Sequence, residues 1–254
     1  VKLFKKERES LIDSGELKRR DYEIIEFVLE MKFASLEDIY NKFFKKRLNG
    51  EESKSDWWAR DRVYKLKKLG LLRSVKFFSE SRAFYMATYD AYHLLSELYP
   101  FNFYCKPTRD IDVRTFYHDW LVTKCRIEME EIGIAKSWVS EKVLKTKESI
   151  NFGIAKKYMP DGCYVNSADE NVAFELELTL KSISRYRNKV KLYASLINRV
   201  KHNDSFRFEK CLFVCRRKTV ADHLRRQILP YGNLFSIQML SDFEAGERLE
   251  RGSQ

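Results

Sequence analysis

The ten residues from Val172 to Lys181, VAFELELTLK, alternate strictly. Val172, Phe174, Leu176, Leu178 and Leu180 fall on one side, and Ala173, Glu175, Glu177, Thr179 and Lys181 on the other. This is the period of a strand that turns one face to a core and the other to solvent, so a chain carrying it must build a sheet. The polar side holds two carboxylates two residues apart, about 7 Å along a strand. Like charges at that spacing repel unless something positive lies between them. Upstream, Pro160-Asp161-Gly162 reads as a turn opening a preceding strand. Pairing of the two strands as a hairpin brings Asp161 to the same spot as Glu175 and Glu177. Three converging carboxylates suit a hard divalent cation such as Mg2+, with Mn2+ as a substitute. The plain alternative is a hairpin with a solvated acidic face.

Charge is distributed in a way that bears on the partner. The chain of 254 residues has a net charge of +11, and residues 181–226 hold fourteen Lys and Arg against three Asp and Glu, which accounts for all of it. A basic segment directly after an acidic strand points to a phosphate backbone beside a metal site; solvated basic helices are the plain alternative. With 33% charged and 44% hydrophobic residues, the chain is globular and long enough for two small domains. No apolar run approaches the roughly 18 residues of a membrane span, and the opening VKLFKKERES lacks the apolar stretch of a secretory leader. A cytoplasmic protein with no membrane partner is expected. The five cysteines are odd in number and form no CxxC pair, so they read as reduced core residues. GxxxxGK[ST], GxGxxG and GxSxG are absent, which sets aside nucleotide-cofactor and serine-hydrolase chemistry.

In chain order, residues 1–18 form a polar arm with a short helix. A helix is expected over Arg19–Phe33, a second after a Ser35 cap, and a third over DWWARDRVYKLKKLG, capped by Ser55 or Asp56 and ending at Gly70. The third buries Ala59, Val63, Leu66 and Leu69. It presents Trp57, Arg60, Asp61, Tyr64, Lys65 and Lys68. Two strand-like runs, LLRSVKFF and AFYMATYD, follow around SESR, and a helix over Ala91–Leu98 closes the unit. Residues 101–113 read as a linker and 114–244 as a second domain of order α-β-β-β-α-β-α-β, with a strand over Trp138–Lys147; residues 245–254 are a tail.

Two resemblances attach to these residues. Residues 19–100, three helices and a β-hairpin, resemble the winged helix-turn-helix DNA-binding domains. That implies Trp57, Arg60, Tyr64, Lys65 and Lys68 facing the major groove, with Ser79–Arg82 at the tip of the wing and Arg82 on DNA. Residues 114–244 resemble the PD-(D/E)xK restriction-endonuclease-like α/β core, on Pro160-Asp161 followed by Glu175. Glu177 stands where that pattern has lysine, so Lys181 or Lys189 must serve. The whole layout, with ELTLKS after the acidic strand, is similar to the replication-relaxation family of plasmid and mobile-element proteins and to MobC-type relaxases. The resemblance implies an α/β protein (α+β overall) that binds double-stranded DNA, including a nicked or single-stranded region, and nicks it with Mg2+. Asp161, Glu175 and Glu177 would be metal ligands, His118 or Glu128 accessory, and Arg185 and Arg187 backbone contacts. The alternatives are an inactive nuclease fold that binds DNA for replication or transcription, and a homodimeric endonuclease.

Overall fold

The computed structural model describes residues 5–46, 50–77, 80–100, 104–145, 159–198 and 207–243, which form a mixed α/β chain. It divides into two compact units at Ile127/Glu128.

The first unit runs α1 (Lys5–Asp13), α2 (Arg19–Met31), β1 (Ala34–Ser35), α3 (Leu36–Phe43), α4 (Trp57–Lys68), β2 (Leu72–Lys76), β3 (Ala83–Ala87), α5 (Tyr89–Leu98) and the first three turns of α6 (Phe116–Glu131). Two helix starts follow from side-chain caps, at α3 and α5, whereas Asp56, the N-cap residue of α4, makes no side-chain cap hydrogen bond. The Ser35 hydroxyl accepts from Asp38 N at 3.1 Å while Asp38 returns a bond to Ser35 N, a reciprocal cap. Thr88 caps α5 two residues earlier than the periodicity suggests. Gly70, at φ 71°, supplies the left-handed turn that ends α4. β3 lies between β1 and β2 in an antiparallel sheet. The arm belongs to this unit, because Arg8 of α1 makes two hydrogen bonds to Glu97 of α5, the shorter 2.7 Å.

The expected domain start at residue 114 moves. Phe116 and Trp120 of α6 pack with Phe33, Phe84 and Met86 in the first unit's core, so this half of the helix closes the N-terminal unit. Ser79 and residues 101–103, part of the expected wing and linker, lie outside the described residues, as does the tail 245–254.

The second unit is built on a five-stranded sheet of order β4 (Ser137–Ser140), β5 (Gly162–Val165), β6 (Asn171–Glu177), β7 (Lys210–Cys215), β8 (Phe235–Met239). β4, β5 and β6 are antiparallel neighbours, and β6, β7 and β8 run parallel. Parallel neighbours need helical crossovers, supplied by α8 (Ile183–Ile197) and α9 (Lys218–Ile228). Both pack on one face of the sheet, joining Ala173, Cys211, Phe213 and Cys215 to Tyr186, Val190, Tyr193, Val220 and Leu224 in one cluster. All five cysteines are buried. The strand expected over Trp138–Lys147 stops at Ser140, whose hydroxyl caps a short helix, α7 (Glu141–Leu144); Thr146 and Lys147 lie outside the described residues. Gly162 is required by packing, since a Cβ there would lie 2.7 Å from Trp138 Cε2.

Candidate active site

The hairpin forms as expected, but the polar face of β6 is not solvated. β6 is the central strand, with α8 laid over that face, and Glu175 is 4% and Glu177 0% exposed. The alternation misleads because β6 joins the antiparallel and parallel halves of the sheet, and the helical crossover that its parallel neighbour requires covers the face that alternation assigns to solvent. The strand also ends earlier than its pattern: Leu178 is half-buried and Leu180, expected in the core, is 51% exposed.

Register delivers the third carboxylate. Gly162 pairs with Phe174, which sets Asp161 beside Glu175, and Asp161 Oδ2 accepts from Leu176 N at 2.8 Å. The cation demanded by this crowding comes from α8. Lys189 Nζ donates to Glu175 Oε2 at 2.7 Å and to Glu177 Oε1 at 2.9 Å. Lys181 Nζ lies 2.6 Å from Glu177 Oε2. That ion pair lacks hydrogen-bond geometry, so the buried Oε2 has no hydrogen bond. Tyr193, one turn beyond Lys189 and fully buried, donates its hydroxyl to Glu175 Oε1 at 2.5 Å. The turn from β6 into α8 is fixed by Tyr186, whose hydroxyl accepts from Lys181 N and donates to Thr179 O, both at 3.1 Å.

These contacts set the protonation of the site. Burial, then the charge of Asp161, raises the Glu175 carboxyl to about 7 against the pull of Lys189 and Tyr193. Burial alone would lower the Lys189 ammonium, but Glu175, Glu177 and Asp161 outweigh it and the ammonium is raised. The Tyr193 phenol is raised by burial and by Glu175, so it stays a donor.

Of the two candidate lysines, Lys189 stands between the carboxylates and Lys181 reaches Glu177 alone. Tyr193 was not among the site residues read from the sequence. Its signal was a buried tyrosine four residues after a lysine, on the same helix face, needing a partner for its hydroxyl. His118 is described within its own unit. It belongs to the first unit, with Nδ1 3.6 Å from Asp119 Oδ1, and Asp119 also accepts from Lys32 at 2.8 Å.

The residues expected on DNA divide. On α4, Trp57 is 56% and Tyr64 68% exposed, and Lys68 is exposed. Arg60 is exposed but pairs with Asp56 at 2.7 Å. Lys65 is half-buried, donating to Glu16 O at 2.7 Å, and so is not the open contact expected. Arg82 is held by Glu37 at 2.5 Å and lies over the Trp120 ring. In the second unit Arg185 and Arg187 are both exposed on α8.

Among the described residues no group of three acidic, histidine or cysteine side chains that could hold a metal ion stands ready-formed, and no helix is long and apolar enough to cross a membrane. Comparison with family models, curated proteins and solved structures found no match.

Proposed function

We propose that this chain is a DNA-binding protein whose second unit carries a metal-dependent DNA-nicking site of the PD-(D/E)xK type, acting in the replication or mobilisation of a plasmid or mobile element. The observation that supports it is the meeting of Asp161, Glu175 and Glu177 with Lys189 at the end of one hairpin. A purely structural strand has no need of three carboxylates there, since burying charge costs more than apolar packing would.

The donor set fits Mg2+ or Mn2+, because Mg2+ is ordinarily held by one or two carboxylates, with water and substrate phosphate completing its shell. Asp161 and Glu175 would hold it. Once bound, the ion supplies charge stabilisation at the phosphate and a more acidic water. Glu177 would be the weaker ligand, since both of its oxygens face lysine ammoniums, whereas Glu175 faces one, and an ion there would share or displace its contacts to Lys189 and Tyr193. Its role is to anchor Lys189, which supplies the cation that the pattern normally places at position 177 and which meets developing charge on the phosphate. Tyr193 fixes the orientation of Glu175. The first unit, with its three helices and hairpin, would choose the site through Trp57, Arg60, Tyr64 and Lys68, while Arg185 and Arg187 track the backbone of double-stranded DNA.

The test is a supercoiled plasmid incubated with Mg2+ or Mn2+. Relaxed circles are expected from the native chain and none from Asp161→Asn or Glu175→Ala. Linear product would shift the reading to an endonuclease acting as a homodimer. One observation favours a second reading, an inactive nuclease fold that serves as a DNA-binding platform: Lys189 already neutralises Glu175 and Glu177, so the cluster can stand without a metal. Tight DNA binding with no cleavage, in all three proteins, would select it.

A further inference from the structure

The first unit contains a cavity of about 600 Å³ that the proposed nicking site does not use, lined by four cations, Lys18, Arg19 and Arg20 among them, by the carboxylates Glu23 and Asp61, and by Phe44 and Trp58. That volume is in the range of small-ligand sites. Lys18 is the N-cap of α2, and Arg19 and Arg20 are its first two helical residues. Three successive cations at the positive end of a helix oppose its dipole, although Asp21 in the same first turn supplies the favoured acidic group and accepts from Lys18 N at 2.8 Å. They are partly answered from within: Lys18 Nζ donates to Gly15 O at 3.3 Å. Arg19 pairs with Glu23 at 2.8 Å, and the Arg20 guanidinium lies 4.9 Å from the Phe44 ring centre. Arg62, also on the lining, is committed to the buried Asp21 through two hydrogen bonds. Trp58 stays 58% exposed, edge-on to Trp57 with ring centres 4.6 Å apart, on the wall of a cavity whose four cations outnumber its two carboxylates. The complementary ligand is an anion with a flat aromatic part.

We propose that this cavity takes an unpaired nucleotide of single-stranded DNA, its base against Trp58 and its phosphates against Lys18, Arg19 and Arg20. The inference rests on the DNA-binding reading above and narrows its substrate to DNA with an opened or single-stranded stretch. A base in a duplex is stacked between its neighbours and cannot reach such a wall without leaving the helix. Stacking on an exposed aromatic beside a basic track is how single strands are held without sequence preference.

The experiment measures equilibrium binding of a labelled oligo(dT) of about twelve nucleotides, a strand long enough for one such site, to the full chain and to Trp58→Ala. An abasic strand of equal length and a duplex serve as comparisons. Trp58→Ala should weaken oligo(dT) binding about tenfold, the scale of one lost base–aromatic stack, and leave abasic binding within about twofold, with circular dichroism unchanged. Arg19→Gln with Arg20→Gln, at unchanged circular dichroism, should weaken both strands and flatten their salt dependence. Equal losses on both strands for Trp58→Ala, or none, would overturn the proposal. So would displacement of oligo(dT) by dTMP at concentrations no higher than the oligonucleotide itself needs. A native chain that binds the duplex and ignores oligo(dT) refutes the cavity while leaving DNA binding intact; one that binds neither refutes both.

Discussion

Replacing Glu175 with Gln should make the second unit's stability less sensitive to pH, and the structure sets both sign and size. In the folded chain burial and the neighbouring Asp161 raise the Glu175 carboxyl from its usual 4.5 to about 7. A folded value above the unfolded one means that the folded state binds the proton more tightly. The group's contribution is therefore fully favourable below the unfolded value, declines as pH rises from about 4.5 to about 7, and is flat above. At about 1.36 kcal/mol for each pH unit between the two values, the decline is about 3 kcal/mol at most. Lys189 does not blur this window, because its raised ammonium keeps its charge until well above the usual lysine value. Urea denaturation at pH 5 and pH 7.5, followed by hydrogen exchange of the β6 and β7 amides, reports this unit by itself. The native chain should lose more than about 1 M in midpoint relative to Glu175→Gln between the two pH values, given the usual dependence of small domains on urea. Parallel pH curves would show that the carboxyl is not held at a raised value and that the burial argument for this site is wrong.

Lys189→Met should destabilise the second unit by about 3–5 kcal/mol at pH 7.5, because it strips the shared cation from two buried carboxylates, and lowering the pH to 5 should recover part of the loss in the same urea assay. Gly162→Ala drives a Cβ into the Trp138 ring and should cost about 1–3 kcal/mol; an unchanged melting temperature would mean that β4 can shift freely. Reversing Arg185 and Arg187 to Glu should reduce the salt dependence of duplex DNA binding, each lost phosphate contact lowering the slope by about 0.9. A slope that stays the same would remove α8 from the interface.

The hairpin was legible because its information is local: a period of two, a Pro-Asp-Gly turn and a short loop over residues 166–170 that pairs Val165 with Asn171. So were the helix caps at Ser35 and Gly70, and the apolar stripe of α4 at Ala59, Val63 and Leu66. The burial of Glu175 and Glu177 was not, since alternation describes the strand and says nothing of α8 lying on its polar side. The first turns of α6 misled for a similar reason. Their amphipathic pattern fits either neighbouring core, and only packing shows Phe116 and Trp120 beside Phe33 and Phe84. Trp138–Lys147 failed through a competing local signal, a Ser140 side chain that caps a helix.

Lys189 is the residue whose placement the sequence could have settled. Tyr186, Val190, Tyr193 and Ile197 form the buried stripe of α8, and Lys189 falls on that stripe, three residues after Tyr186 and four before Tyr193. A lysine in an apolar stripe is costly unless a carboxylate faces it, and the strand directly before this helix offers two. A glutamate where the nuclease pattern has lysine, and a lysine where an amphipathic helix would have an apolar residue, are two irregularities with one physical solution. The structure joins them through two hydrogen bonds from a single ammonium. The cluster then holds three carboxylates against two lysines, one negative charge in excess, and Glu175 meets that excess by taking up a proton as the pH falls toward 7. Glu177 and Lys189 thus act as one unit, and exchanging their identities, Glu177→Lys with Lys189→Glu, should preserve more stability than either change alone.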